Sequence, residues 1–176
     1  MDIVRTAQVI SHTLRDDGPF PNNGILPLLV YQGALSLPDG DPAAEIEDLF
    51  EANQWGNSWR NGVYGFHHYH STAHEVLGIY SGTARAQLGG ENGIVLSAER
   101  GDVIIIPAGV AHKNLGSSPG FRCVGAYPFG QQWDMNYGKE GERPQVDQNI
   151  ASVPLPRGDP VYGMGGPLGD QWPETV

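Results

Sequence analysis

The apolar positions of this chain fall in short runs, each broken within a few residues by glycine, proline or asparagine. Between residues 62 and 128 seven runs follow one another: Val63–His70, Glu75–Ser81, Thr83–Leu88, Gly93–Ala98, Asp102–Ile106, His112–Leu115 and Phe121–Tyr127. Gly82, Gly89-Gly90, Asn92-Gly93, Gly101 and the stretches 107–109 and 117–120 separate them. Short strands at this spacing, with turn residues between them, predict a β-sandwich or barrel. Upstream, Ile3–Leu14 is a weak strand candidate and Ile25–Tyr31 a better one, entered through the turn Pro21-Asn22-Asn23-Gly24. Pro27 suggests an edge or a strand start there. A single stretch has helical period. In Asp41–Asn53, Asp41 can cap, Pro42 suits the first helical position, and Ile46, Leu49 and Phe50 share one face. Gly56 reads as its stop.

Composition sharpens this picture at both ends. Gly and Pro together are 39 of 176 residues, and only 17 % are charged, which excludes a helical bundle or coiled coil. After residue 127 the texture changes, with 15 Gly and Pro in 49 residues and isolated apolar positions such as Trp133, Val146 and Val161. We expect one domain over 1–176, with a barrel core at about 60–128 and an extended arm at 129–176, wrapped on the core or on a partner.

Charge and cysteine exclude several functions. Ten basic residues against 20 acidic ones leave a net charge of −10, so no basic face exists for nucleic acid or an anionic membrane surface. The acidic run Asp39–Glu51 reads as a solvated helix face. Cys123 is the one cysteine, so no internal disulfide forms; it reads as a buried structural thiol, and a reducing compartment fits. No secretory leader or membrane-spanning run is visible, and a cytoplasmic location is expected.

The chemistry is concentrated in the histidines. Five of six lie between residues 67 and 112. On a strand His68 and His70 share a face, so both can reach one metal ion. Glu75 opens the next strand, and the turn Pro107-Ala108-Gly109 delivers His112 to another. Where these faces meet, three imidazoles and a carboxylate make a mixed N/O set suited to first-row transition metals. His67 and His74 alternate outward, unless the register slips. His12 reads as a surface residue. Trp55, Trp59 and Trp133 read as packing residues, and Ala84 and Arg85 mark two opposite strand faces whose orientation stays open.

The spacing resembles the cupin superfamily. Gly62, five residues, His68-Tyr69-His70, four residues, Glu75, six residues, Gly82 fits the first cupin motif. Gly101, five residues, Pro107-Ala108-Gly109, two residues, His112 fits the second, with Gly116 where the family's closing Asn stands. Asn114 could replace that Asn beside His112. Further stretches, among them Leu26–Tyr31, Ala126-Tyr127-Pro128, Asp134-Met135 and Gly141-Glu142-Arg143-Pro144, make the chain similar to the YjlB-like bacterial cupins over about residues 20–165. The resemblance implies an all-β double-stranded β-helix, a jelly-roll barrel with a short N-terminal helix. One divalent transition metal (Fe, Mn, Ni or Zn) would sit inside on His68, His70, Glu75 and His112. It implies a small-molecule ligand and a homodimer. The expected function is an enzyme acting on a small oxygen-rich metabolite, by O₂-dependent oxidation or metal-assisted isomerisation, with Glu75 also moving a proton. A module that binds metal or metabolite without turnover is the alternative.

Overall fold

The computed structural model describes residues 2–172; residue 1 and residues 173–176, the end of the expected arm, lie outside the described residues. In chain order the elements are β1 (Gln8–Leu14), β2 (Asn23–Gln32), α1 (Pro42–Ala52), β3 (Trp55–Asn61), β4 (Glu75–Ser81), β5 (Thr83–Leu88), β6 (Ile94–Glu99), β7 (Val103–Ile106), β8 (His112–Ser117), β9 (Arg122–Pro128), α2 (Gln145–Ser152) and α3 (Pro167–Gln171). The strands form a six-stranded sheet, β1-β2-β7-β4-β9-β3, and a three-stranded sheet, β6-β5-β8. Every pairing of adjacent strands is antiparallel. Together they make the double-stranded β-helix that the family resemblance implies.

Strand alternation decides what each sheet face does. In β7, Ile104 and Ile106 point to an inner core with Leu28, Leu77 and Ile79, and with Ala84, Leu88 and Ala98 from the smaller sheet. Val103 and Ile105 point the other way, into a second core with Val76, Val124, Ile46 and Phe50. The four-residue apolar run of β7 is therefore a strand buried on both faces. Ala84 and Leu88 face inward, which settles the orientation of β5; Arg85, on its other face, is exposed.

Helix α1 caps the outer face as its sequence requires. Asp41 accepts a hydrogen bond from the Ala44 amide at 3.1 Å, and Ala43, Ile46 and Phe50 are buried. Gly78 of β4 permits the contact, since a Cβ there would meet Ile46 at 2.9 Å and Phe50 at 3.0 Å. The helix does not run to Gly56. It ends at Ala52, Gln54 takes a left-handed φ of 66°, and Gly56 already lies inside β3. That strand, with two Trp among Gly, Asn, Ser and Arg, lacks an apolar alternation that would announce it.

Two other strand expectations change. Pro27 sits neither at an edge nor at a strand start, because β2 runs from Asn23 between β1 and β7. Its missing N–H does no harm there: pairing with β7 covers only Leu29 to Tyr31, and the ladder with β1 is broken between Leu28 and Asn23. Val63–His70 is not a strand but a crossing segment held by isolated bridges, His68 to His112 and Tyr69 to Asn136.

The Gly/Pro-rich C-terminal stretch carries two short helices and covers the outer core. Val161, Leu168 and Trp172 join it. The buried Asp159 anchors the wrap, accepting from the Tyr31 hydroxyl at 2.6 Å and from the amides of Val161, Tyr162 and Leu168. Among the described residues, no helix is long and apolar enough to cross a membrane.

Candidate metal centre

His68, His70 and His112 are buried, and their ligating nitrogens lie within 4.8 Å of one another. Three local structures bring them together. The crossing segment supplies His68 and His70 on one side, as their spacing predicts. The Pro107–Gly109 turn starts β8 at His112, and paired amide–carbonyl bonds between His68 and His112 (2.9 and 3.2 Å) clamp the two motifs together. Glu75 enters from the first position of β4, with Oε2 3.2 Å from His112 Nε2 and 3.4 Å from His70 Nε2. The four residues named from the motifs therefore meet inside the barrel.

The tautomers follow from the second nitrogen of each ring. Nδ1 of His68 donates to the Phe66 carbonyl at 3.0 Å, Nδ1 of His112 to the Val110 carbonyl at 3.1 Å, and Nδ1 of His70 to the Asp134 carbonyl. A carbonyl only accepts, so each Nδ1 carries a proton, and in its neutral form each ring presents an Nε2 lone pair to its neighbours. Burial, reinforced by His112, pushes His68 down to about 3, so it stays neutral. Burial also acts against protonation of His70, but Glu75 outweighs it and raises that ring. For Glu75 burial acts upward, yet the facing His70 and His112 outweigh it and hold the carboxyl below its usual range.

These groups fit a cation. Glu75 Oε1 accepts from the Tyr127 hydroxyl at 2.9 Å, whereas Oε2 is buried with no aligned donor. An unpartnered carboxylate oxygen facing imidazole lone pairs is costly unless positive charge lies between them. Three nitrogens and one oxygen suit a divalent first-row metal. The cluster opens on a cavity of about 220 Å³.

Three residues that shape this site carried no functional signal in the sequence. Trp59, expected to pack, lines the cavity and donates its indole N–H to the Tyr127 hydroxyl at 2.7 Å. Trp133, also expected to pack, lies against His70 with ring centroids 5.2 Å apart. Asp134 braces the loop after His70: its carboxylate accepts from the Ser71 and Thr72 amides, the Ser71 hydroxyl and the Asn136 amide. Its carbonyl holds His70. Asp134→Ala should free that loop and weaken metal affinity about 10- to 100-fold, readable by competition with a chromophoric chelator.

The remaining titratable groups divide clearly. Asn114 does not stand in for the missing Asn, because its side chain bonds to Ser117 and to the Gly116 amide. His67 lies outside the cluster and pairs with Glu91 at 3.0 Å. His12 is partly buried on β1, and Cys123 is buried in the inner core, where burial pushes its thiol well up. His74 faces the outer core, covered by Trp172 with ring centroids 4.7 Å apart. Its Nδ1 accepts from the Ala108 amide at 2.9 Å, and burial pushes it down to about 3. The unfolded chain therefore binds the extra proton between about 6.5 and about 3, and stability falls as pH falls through that window. His74→Asn, which keeps an acceptor, should remove about 2 kcal/mol of the loss between neutrality and about pH 5, at roughly 1.4 kcal/mol per unit. Urea unfolding of the metal-free protein at the two pH values checks it.

With this geometry established, similarity to known proteins can be stated. No protein-family model matches the chain. It is 43 % identical over 157 residues to "Uncharacterized protein YjlB" of Bacillus subtilis (strain 168), covering 89 % of this chain and 92 % of that one. Among solved structures it is similar to procruciferin, an 11S globulin from Brassica napus, at 17 % identity and a TM-score of 0.38; the match covers 65 % of this chain and 23 % of that one. A protein with a double-stranded β-helix domain from Klebsiella pneumoniae matches at 24 % identity and a TM-score of 0.35, over 47 % of this chain and 68 % of that one.

Proposed function

The chain belongs to the YjlB-like cupins, and from that premise we propose a metal-dependent enzyme acting on a small oxygen-rich metabolite. The reaction is O₂-dependent oxidation or metal-assisted isomerisation. The observation that carries this reading is the convergence of three Nε2 lone pairs and the unpartnered Oε2 of Glu75 on an open cavity. His68, His70, Glu75 and His112 would hold one divalent metal, which when bound supplies Lewis acidity or a redox centre. The chain's own residues do the rest. The carbonyls of Phe66, Val110 and Asp134 fix the ring orientations. Tyr127 holds Oε1 of Glu75, leaving Oε2 to face the cluster, and Glu75 is the group placed to move a proton of the ligand. At roughly 30 Å³ per water, the cavity of about 220 Å³ has room for several atoms beyond a metal, as turnover requires. We include a homodimer in this reading; a sedimentation mass near the 19.0 kDa of one chain would contradict it.

The test is protein purified without chelator. About one equivalent of Fe, Mn, Ni or Zn is expected by elemental analysis, and less than about a tenth would sink the metal reading. Fe(II)-loaded protein offered hydroxy acids and diols should consume O₂ or convert the ligand, and Glu75→Gln should abolish this. Stoichiometric metal with no conversion of any ligand would instead favour the binding module.

A further inference from the structure

The walls around the cluster are aromatic and poor in charge. Tyr127 and Trp133 lie nearly parallel, with an interplanar angle of 26° and centroids 6.1 Å apart. Trp59 lies beyond, bonded to the Tyr127 hydroxyl, and Tyr64 meets His68 edge-on at 5.3 Å. Val63, Leu77 and Met135 complete the apolar part of the lining. The lining contains one cation, Arg60, whose guanidinium is already engaged by Glu47 and Asp41. Two of its donors are also committed, the Tyr127 hydroxyl to Glu75 and the Trp59 indole N–H to Tyr127, which leaves the Asn61 side-chain amide and the Tyr64 hydroxyl.

Two ligand classes are disfavoured by this chemistry. A phosphorylated or polycarboxylate ligand would bring two or more negative charges into a site where three neutral rings, one carboxylate and a divalent metal leave a single positive charge. The excess charge would be desolvated without a partner. A polyhydroxylated sugar would bury hydroxyls with few groups left to receive them, which is costly for each one. A flat ring gains instead. It can lie against the half-buried Trp133 while two adjacent oxygens reach the metal.

Resting on the metal reading above, we propose that the site selects a planar, aromatic or enolic ligand with vicinal oxygens and at most one ionised group, and that Trp133 is a specificity residue for it. The experiment compares catechol with glucose 6-phosphate by calorimetry and tryptophan fluorescence. It uses metal-free protein and protein loaded with Zn, which has no redox chemistry to consume the probe. Catechol is expected to bind at least tenfold tighter than glucose 6-phosphate to the Zn form. Trp133→Leu should weaken catechol several-fold with Zn content unchanged, and Trp133→Phe should restore most of it. Equal or tighter binding of glucose 6-phosphate overturns the proposal. So does unchanged catechol affinity in Trp133→Leu, or no catechol binding in either form. Failure to take up Zn is a different result: it sinks the metal reading, while the metal-free comparison still tests the ring preference.

Discussion

His70→Ala should empty the centre, with metal content falling from about one equivalent to less than a tenth. The expected loss of affinity exceeds the roughly 100-fold upper range seen when only a supporting contact is removed. Three effects act together. One of three nitrogen donors disappears. The Asp134 carbonyl loses the N–H it accepts, so the strap that carries Trp133 loses its bond to the cluster. Glu75 Oε2 then keeps only His112 close by, at 3.2 Å. The effect should also be visible as stability. A metal present at 100 times its dissociation constant stabilises the folded state by about 2.7 kcal/mol, and His70→Ala should forfeit that increment. Thermal unfolding with and without added Zn reads it directly: the wild-type midpoint should rise with Zn and the variant's should not. A variant that keeps full metal content would remove His70 from the ligand set.

The parts of this fold legible in the sequence are those where a local pattern has a local cause. The α1 helix follows from Asp41, Pro42 and one apolar face. The expectation that His68, His70, Glu75 and His112 meet rests on the motif spacing together with the family resemblance: alternation puts His68 and His70 on one side, and the motif turns set where Glu75 and His112 begin their strands. What escaped was set by distant partners. β3 has no alternation of its own and is a strand because β9 pairs with it. Residues 63–70 alternate like a strand, but they bridge only single residues, one in β8 and one in the strap after β9. His74 does alternate outward, yet outward is not solvent here, because Trp172 returns from about a hundred residues later to cover it. Trp59 and Trp133 look like packing residues because nothing local distinguishes a ring over a cavity from one in a core.

Gly125→Ala should be strongly damaging, costing about 3 kcal/mol, at the upper end of overpacking penalties. Gly125 lies in β9 between β4 and β3, directly opposite Trp59. A Cβ there would fall within the Trp59 indole itself. The backbone cannot yield, because it is paired on both sides, so the indole must move. Moving it breaks the bond to the Tyr127 hydroxyl and removes one wall of the cavity. The loss would be read as a lowered urea midpoint with an unchanged slope, and as a red shift in tryptophan emission. If the clash is the cause, it must be non-additive with removal of the ring. Trp59→Ala alone loses burial and one hydrogen bond, and adding Gly125→Ala to it should cost almost nothing further, since the methyl then enters vacated space. Full additivity of the two substitutions would mean that Gly125 is required by its backbone rather than by the indole above it.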